Sequence, residues 1–199
     1  VKYDSNSGQW QDTKGRNFSN GIRFTLADKD VFAIDSTSLN ETAVYRSVGT
    51  TLFNMAINPK NGKLYVSNTE ANNAVRFEGP GQVGGSTVQG NIARSRITVI
   101  DTNADTMSIR PLNRHINYDQ LKAPASIKSH TIATPLQMAF SADGNKVYVA
   151  ALGSNKVAVY ATEQLEENSF WDNAGSEFRP QDLSQNFISI SGGPVGILL

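Results

Sequence analysis

The chain has 199 residues, with 18 Lys and Arg against 18 Asp and Glu and no cysteine, which is long enough for one domain with a sizeable core. The neutral balance gives no reason to expect a nucleic acid or an anionic membrane as partner, since either favours a basic patch. The lack of cysteine excludes disulfides, thiolate metal sites and covalently attached c-type haem within these residues, and no apolar run approaches the roughly 20 residues of a membrane span.

The first part of the chain predicts little regular structure. Residues 1–21 are polar and rich in Gly, Ser and Asn, so we expect an irregular lead-in. From residue 22 the pattern changes to short apolar runs at 22–26 and 30–35, which are typical of two strands in a hairpin, and a third strand is expected around 42–48. Residues 22–50 are therefore interpreted as part of a repeating unit.

A second repeat is predicted from 51 to 134. Its strands are expected at 53–57, 63–67, 96–101 and 106–110. Two insertions, 68–95 and 111–134, interrupt this pattern. Loops longer than about a dozen residues are uncommon unless they form a lid, a binding surface or a protein contact.

A third repeat is predicted from 135 to 193. Its strands are expected at 136–140, 146–150, 156–160 and 187–190, the last one after a polar excursion over 163–185. Residues 194–199 start the first strand of a further repeat. Because the chain begins with Val1 and stops within this apolar run, we interpret it as an excerpt of a longer protein.

Two hairpins in this pattern are copies of one another. Residues 53–67 and 136–150 align without gaps at an offset of 83 residues, which matches Tyr65 with Tyr148. Each copy has an apolar run, a polar turn containing a glycine, and a second apolar run with period-two alternation. A lone hairpin cannot bury its apolar face, so a recurring hairpin predicts stacking on its own copies. The repeated tyrosines are predicted to pack between the repeats, with the hydroxyl at a polar rim.

The segments FNMAINPKNGKLYVSN and PLQMAFSADGNKVYVAALGSNKVAVY resemble the YVTN-type β-propeller repeat family. The repeats that carry the resemblance cover roughly two thirds of the chain. The resemblance implies an all-β fold, a partial propeller of four-stranded antiparallel blades, with about two full blades and parts of two others. A closed propeller needs about four to eight blades. We therefore expect the remainder of the polypeptide to close the ring or chains to associate edge to edge, and a stable, strictly monomeric chain would contradict this expectation.

A narrower resemblance lies in the insertions. NTEANNAVRFEGPG, STVQGNIARSRITVID and RPLNRHINYD look like segments of bacterial exported proteins that join such a propeller to cytochrome c-type haem domains. The resemblance implies a periplasmic or extracellular location, no cofactor in this segment, and haem c elsewhere in the full-length protein. It implies a non-catalytic scaffold or binding module that holds a protein partner. The alternative is a propeller enzyme, a metal-dependent lactonase or a quinoprotein-like dehydrogenase, with its site at the channel mouth.

Few side chains in the sequence point to a binding site, and no catalytic residue is assigned. Asn68, Glu70 and Asn72 supply oxygen ligands that suit calcium, although Asn-rich turns have the same composition. His115 is a further candidate metal ligand, against the alternative that His115 and His130 are ordinary loop histidines. The candidate residues for binding by the two insertions are Arg76, Glu78, Arg114 and His115.

Overall fold

A computed structural model describes residues 2–21, 29–72, 91–118, 123–168 and 186–199. The chain divides into two compact units, Val1–Arg46 and Ser47–Leu199. Strands dominate both units, so the all-β prediction is confirmed. No helix in the described ranges is long and apolar enough to cross a bilayer.

The first unit contains two short antiparallel pairs. Strand β1 (Lys2–Asp4) pairs with β2 (Gln9–Gln11), and β3 (Lys29–Ile34) pairs with β4 (Glu41–Arg46). The first pair replaces the irregular lead-in expected at 1–21. The pairing of β1 with β2 is stabilised by a cross-strand aromatic pair, Tyr3 and Trp10, whose ring centroids lie 5.3 Å apart. The strand predicted at 22–26 lies outside the described residues.

The second unit begins with a four-stranded sheet that we call blade A. Its strands are β5 (Thr51–Ile57), β6 (Leu64–Ala71), β7 (Ala93–Asp101) and β8 (Thr106–Pro111), which are antiparallel and adjacent in chain order. Strands β6 and β7 are longer than predicted, because their pairing continues to Ala71 and Ala93. The first insertion is therefore shorter than 68–95, and its first predicted residues belong to a strand.

A second four-stranded sheet, blade B, follows. It contains β9 (Pro135–Phe140), β10 (Lys146–Ala151), β11 (Lys156–Ala161) and β12 (Asn186–Ser189). A short helix α1 (Ala125–Lys128) precedes this sheet, and a helix α2 (Thr162–Glu167) follows β11. Residues 194–199, where a further strand was expected, form no strand, because no described segment pairs with them. Instead the Ile197 amide donates to Gln137 Oε1 at 3.1 Å.

The two sister hairpins lie in adjacent sheets that share one core. Tyr65 of blade A is fully buried and meets the Phe140 ring of blade B edge to face, with centroids 4.9 Å apart. An edge-to-face pair of this kind adds about 1 kcal/mol beyond area burial. The prediction that Tyr65 packs between repeats is confirmed. Buried side chains of this core include Ile97, Val99, Leu112, Ile132, Met138, Val147, Val149, Ala158, Tyr160 and Leu165.

Antiparallel connections alternate between the two ends of a sheet, which sorts the loops of blades A and B into two groups. The turns after β5, β7 and β9 and helix α2 after β11 lie at one end, which we call the hairpin end. The connections after β6, β8 and β10 begin at the opposite end, which we call the insertion end. Both predicted insertions therefore start and finish at the same end of the sheets.

Aspartate side chains accept backbone amides in three of the described turns. Asp35 Oδ1 accepts the amides of Thr37 and Ser38 at 3.1 and 2.7 Å, and Asp101 Oδ1 accepts two turn amides in the same way. Asp143 accepts the Asn145 amide at 3.0 Å. Carboxylates of this kind replace the backbone partners that a turn lacks.

Candidate functional site

Glu166 of α2 is the centre of a polar cluster at the hairpin end. Its Oε1 accepts a hydrogen bond from the Tyr65 hydroxyl at 2.7 Å, and its Oε2 accepts one from Lys63 Nζ at 2.8 Å. Asn61 Nδ2 donates to both oxygens at 2.9 and 3.0 Å. We call these four residues the Glu166 clamp. They join a helix that follows blade B to the strand and turn of blade A.

The charge state of the clamp follows from its surroundings. Burial raises the pKa of the Glu166 carboxyl, but hydrogen bonds from Lys63, Asn61 and Tyr65 outweigh burial and hold this pKa below its usual value. Burial, followed by the hydrogen bond to Glu166, raises the pKa of the Tyr65 hydroxyl. At neutral pH the carboxylate is thus charged and the phenol is a neutral donor.

The C-terminal end of α2 is held separately. Arg110 of β8 donates from Nε to the carbonyl of Leu165 at 2.6 Å and from Nη2 to the carbonyl of Glu166 at 2.5 Å. A guanidinium at the last carbonyls of a helix stabilises groups that lack an intrahelical partner. A cavity of about 290 Å³ lies beside the clamp. Its lining residues are Lys60, Asn61, Lys63, Thr162, Glu163, Glu166 and Glu167.

This cluster was not predicted, because the sequence over 163–185 was interpreted as a polar excursion. The signal was present: Thr162-Glu163-Gln164-Leu165-Glu166-Glu167 contains mostly good helix formers around one apolar residue. One helical turn with a single buried leucine is too short for periodicity to be recognised.

A second cluster lies at the insertion end and brings the two histidines together. The ring centroids of His115 and His130 are 6.5 Å apart with an interplanar angle of 79°. His130 also lies 5.3 Å from the Phe187 ring, and its Nδ1 is 2.8 Å from the carbonyl oxygen of Ser126. The second insertion is thus folded back onto β12, which the spacing of fifteen residues in the sequence did not reveal.

His115 is the buried member of the pair. Burial lowers the pKa of its imidazole to about 4, the Ile127 carbonyl opposes this shift, and the positive charges of His130 and Lys156 add to it. Only 9% of His115 is exposed. At neutral pH the ring is therefore neutral, as a packing group or a metal ligand must be.

We expect acid to destabilise the chain through His115. Its folded pKa lies below the unfolded value, so the unfolded state takes up the proton first, and stability that is present above pH 6.5 is lost as the pH falls towards 4. The loss is on the order of 2 kcal/mol after a discount for solvent screening. Urea unfolding between pH 8 and pH 4 measures it. His115→Leu should flatten the dependence of stability on pH between 6.5 and 4. An unchanged dependence would contradict the assignment of this loss to His115. His130→Gln is the control for the loss of the other histidine.

The oxygen ligands predicted for calcium are used in other contacts. Asn68 is fully buried in β6, and its Oδ1 accepts from Arg96 Nε at 2.7 Å. Glu70 Oε2 lies 2.7 Å from Arg96 Nη2, so the same guanidinium holds both side chains. Asn72 donates from Nδ2 to the carbonyl of Asn91 at 3.2 Å. Three of the candidate ligands thus organise the base of the first insertion.

The other candidate residues are placed as follows. Arg114 is exposed at the insertion end, next to His115 in the chain, and Arg76 and Glu78 lie outside the described residues. Within the described ranges, no three His, Asp or Glu side chains are grouped so that they could hold a metal ion. Arg94 of β7 stacks its guanidinium 4.4 Å from the centroid of the Tyr118 ring. This contact joins the bases of the two insertions, and neither residue was among the predicted candidates.

No protein-family model matches the chain, and no curated protein matches it. Among solved structures the chain is similar to Kuenenia stuttgartiensis hydrazine synthase, with a TM-score of 0.54 and 17% sequence identity over 81% of this chain and 43% of that chain. The chain spans less than half the length of that protein, and the similarity concerns the fold alone. Together with the two four-stranded antiparallel sheets, it shows an all-β, propeller-like protein.

Proposed function

We propose that this chain is the propeller portion of a larger exported protein and acts as a non-catalytic scaffold that binds a protein partner. The observation that carries the proposal is the common location of the two insertions. The connections after β6 and β8 both leave from the insertion end of blade A. Long loops on a rigid sheet edge are a frequent way to build a recognition surface.

The base of this surface is fixed by several independent contacts. Arg94 stacks on Tyr118 and thereby joins the first insertion to the second. Asn113 is buried, donates from Nδ2 to the carbonyl of Ile132 at 2.8 Å and accepts the Ile132 amide at 2.8 Å, which ties the two ends of the second insertion together. A surface held in this way loses little conformational entropy when a partner binds.

The opposite face of blade B supports the proposal of a larger ring. Tyr148 and Val157 are only partly buried there, and Ile188 is 51% exposed. In blade A the equivalent tyrosine, Tyr65, is covered by blade B. We propose that the remainder of the polypeptide covers the Tyr148 face in the same manner or, failing that, a second copy of the chain does.

The proposed partner or neighbouring domain carries haem c in the periplasm or outside the cell. This part rests on the resemblance of the insertions to exported proteins with cytochrome c domains. The full-length open reading frame tests it directly. A Cys-x-x-Cys-His motif in that frame would support the link, and a frame without such a motif would overturn it.

The scaffold proposal is tested by site-specific cross-linking. Because the chain contains no cysteine, a single cysteine can carry a photoreactive label at either end. Ala125→Cys places the label on exposed α1 at the insertion end, and Ala104→Cys places it in the exposed turn after β7 at the hairpin end. We expect protein adducts from an extract of the native cell envelope at position 125, in at least about tenfold excess over position 104.

Two results would contradict the scaffold proposal. Equal labelling at the two positions would mean that the insertion end is not a preferred binding surface. Hydrolysis of lactones or oxidation of alcohols by the purified full-length protein, abolished by a change at the channel mouth, would establish the enzyme alternative instead. Urea unfolding of both cysteine variants controls for an effect of the label on folding.

A further inference from the structure

The charges of blades A and B are distributed unevenly between the two ends. Apart from Arg110, whose guanidinium reaches the carbonyls of α2, the strand ends and connections at the insertion end carry five cationic side chains against one anionic side chain, Glu70. The cationic residues are Arg94, Arg96, Arg114, Lys128 and Lys156. The undescribed parts of these connections contain Arg76 with Glu78 and Asp119 with Lys122, so in sequence they add no net charge.

The hairpin end has the opposite sign. Its turns, adjoining strand ends and helix α2 carry three lysines and six acidic residues. These are Lys60, Lys63, Lys146, Asp101, Asp105, Asp143, Glu163, Glu166 and Glu167. The neutral balance of the whole chain thus conceals a basic end and an acidic end, which total composition cannot show.

The basic residues differ in their exposure, and Arg96 and Lys156 are partly buried. Lys156 Nζ reaches the carbonyls of Ser129 and Thr131, and Arg96 is bound by Asn68 and Glu70. These contacts are internal and position the loops. The remaining three cationic side chains, Arg94, Arg114 and Lys128, are exposed.

Apolar groups accompany these exposed charges. Ile92 is 58% exposed beside Arg94, and Leu152, in the connection after β10, is 38% exposed. The Arg94 guanidinium stacks on the ring of Tyr118. This combination of arginine, tyrosine and scattered aliphatic side chains is typical of surfaces that bind proteins. A nucleic-acid surface would need a denser row of cations along the phosphate backbone.

We propose that the insertion end recognises an acidic surface of a protein partner, with Arg94, Arg114 and Lys128 as the contacting cations. The inference rests on the proposed scaffold function and adds the chemistry of its partner. Complementary charge of this kind accelerates association and selects the partner, and its effect falls as the salt concentration rises. The acidic hairpin end repels the same partner, so the molecule binds in one orientation.

Binding of a fluorescent poly-L-glutamate probe to the full 199-residue chain tests the charge chemistry. We compare Arg94→Glu/Arg114→Glu with the matched pair Lys60→Glu/Lys146→Glu, because both variants change the net charge by the same amount at opposite ends. Fluorescence anisotropy at low salt should show at least about a tenfold loss of affinity for the first variant. The second variant should bind the probe like the unmodified chain. Lys128→Glu, which leaves the Arg94–Tyr118 contact intact, should give a smaller loss in the same direction.

Several outcomes would overturn the inference. These are no binding of poly-L-glutamate at low salt, an equal loss in the two double variants, or tighter binding of duplex DNA or of vesicles containing anionic phospholipid. The cross-linking experiment separates this failure from failure of the scaffold proposal. Adducts at position 125 that persist in Arg94→Glu/Arg114→Glu would leave a scaffold with a partner that is not acidic. If only Arg94→Glu/Arg114→Glu loses binding of poly-L-glutamate while labelling at positions 104 and 125 is equal, the insertion end binds acidic chains but the scaffold proposal fails.

Discussion

Glu166→Ala is expected to lower the free energy of unfolding by about 3 kcal/mol. The change removes the acceptor of four side chains, those of Tyr65, Lys63, Asn61 and Asn58. It also leaves the Tyr65 hydroxyl, in a fully buried residue, without its 2.7 Å partner. It also removes the ion pair with Lys63. Loss of one member of a largely buried charged network costs more than the net value of the contacts, because the remaining polar groups stay desolvated. Urea unfolding at pH 7 measures the effect.

The matched control is Glu167→Ala. Glu167 is exposed and occupies the last position of the same helix, so its replacement reports the change in helix propensity and surface charge alone, within about 0.5 kcal/mol. Tyr65→Phe completes a double-mutant cycle with Glu166→Ala. We expect a coupling energy of about 1 kcal/mol or more, and strict additivity would show that the two residues do not stabilise the blades together.

Gly144→Ala is expected to destabilise the chain by about 3 kcal/mol. Gly144 has a φ of +67°, and a Cβ there would lie 2.3 Å from Asn58 Oδ1 and 2.8 Å from the backbone nitrogen of Lys60. The turn of blade B thus rests directly on the turn of blade A. Left-handed backbone strain accounts for about 1 kcal/mol, and the overlap with fixed backbone accounts for the rest.

Gly62→Ala is the internal control for this prediction. Gly62 occupies the sister turn with a φ of +74°, yet nothing lies within 4 Å of a Cβ built on it. Gly62→Ala should therefore lower the free energy of unfolding by only about 1 kcal/mol, the cost of the left-handed backbone strain. Thermal and urea unfolding of both variants give the comparison. Equal losses would mean that the two turns do not touch in solution.

The parts of the fold that local patterns specify could be predicted from the sequence. The duplicated hairpins, with Tyr65 and Tyr148 at matched positions, predicted two sheets of the same kind, and both sheets are present. Period-two alternation and the glycine turns are properties of neighbouring residues, and repetition made them recognisable. The carboxylates that accept turn amides were predictable for the same reason.

The site residues depend on contacts between distant parts of the chain and were harder to predict. Glu166 receives its donors from residues about 100 positions earlier, and no spacing rule links them. Asn68 and Glu70 were interpreted as loop ligands because no local pattern indicates that β6 continues to Ala71. Its continuation depends on pairing with β7, which is a tertiary property.

The distribution of charge between the two ends of the sheets also could not be predicted from the sequence alone. Equal numbers of acidic and basic residues suggested a surface without strong patches. Only the alternation of strand direction assigns Arg94 and Arg114 to one end and Glu163 and Glu167 to the other. The order and direction of the strands therefore had to be known before the charged residues could be assigned to either end.

The Glu166 clamp has a consequence for how proteins of this design can diversify. The clamp and the contact of Gly144 with Asn58 fasten neighbouring blades at one end, whereas the connections after β6 and β8 leave from the other. Residues can be added or exchanged in those loops without loosening the attachment between sheets. Recognition by the loops can therefore change over evolutionary time while the contacts between the sheets stay the same.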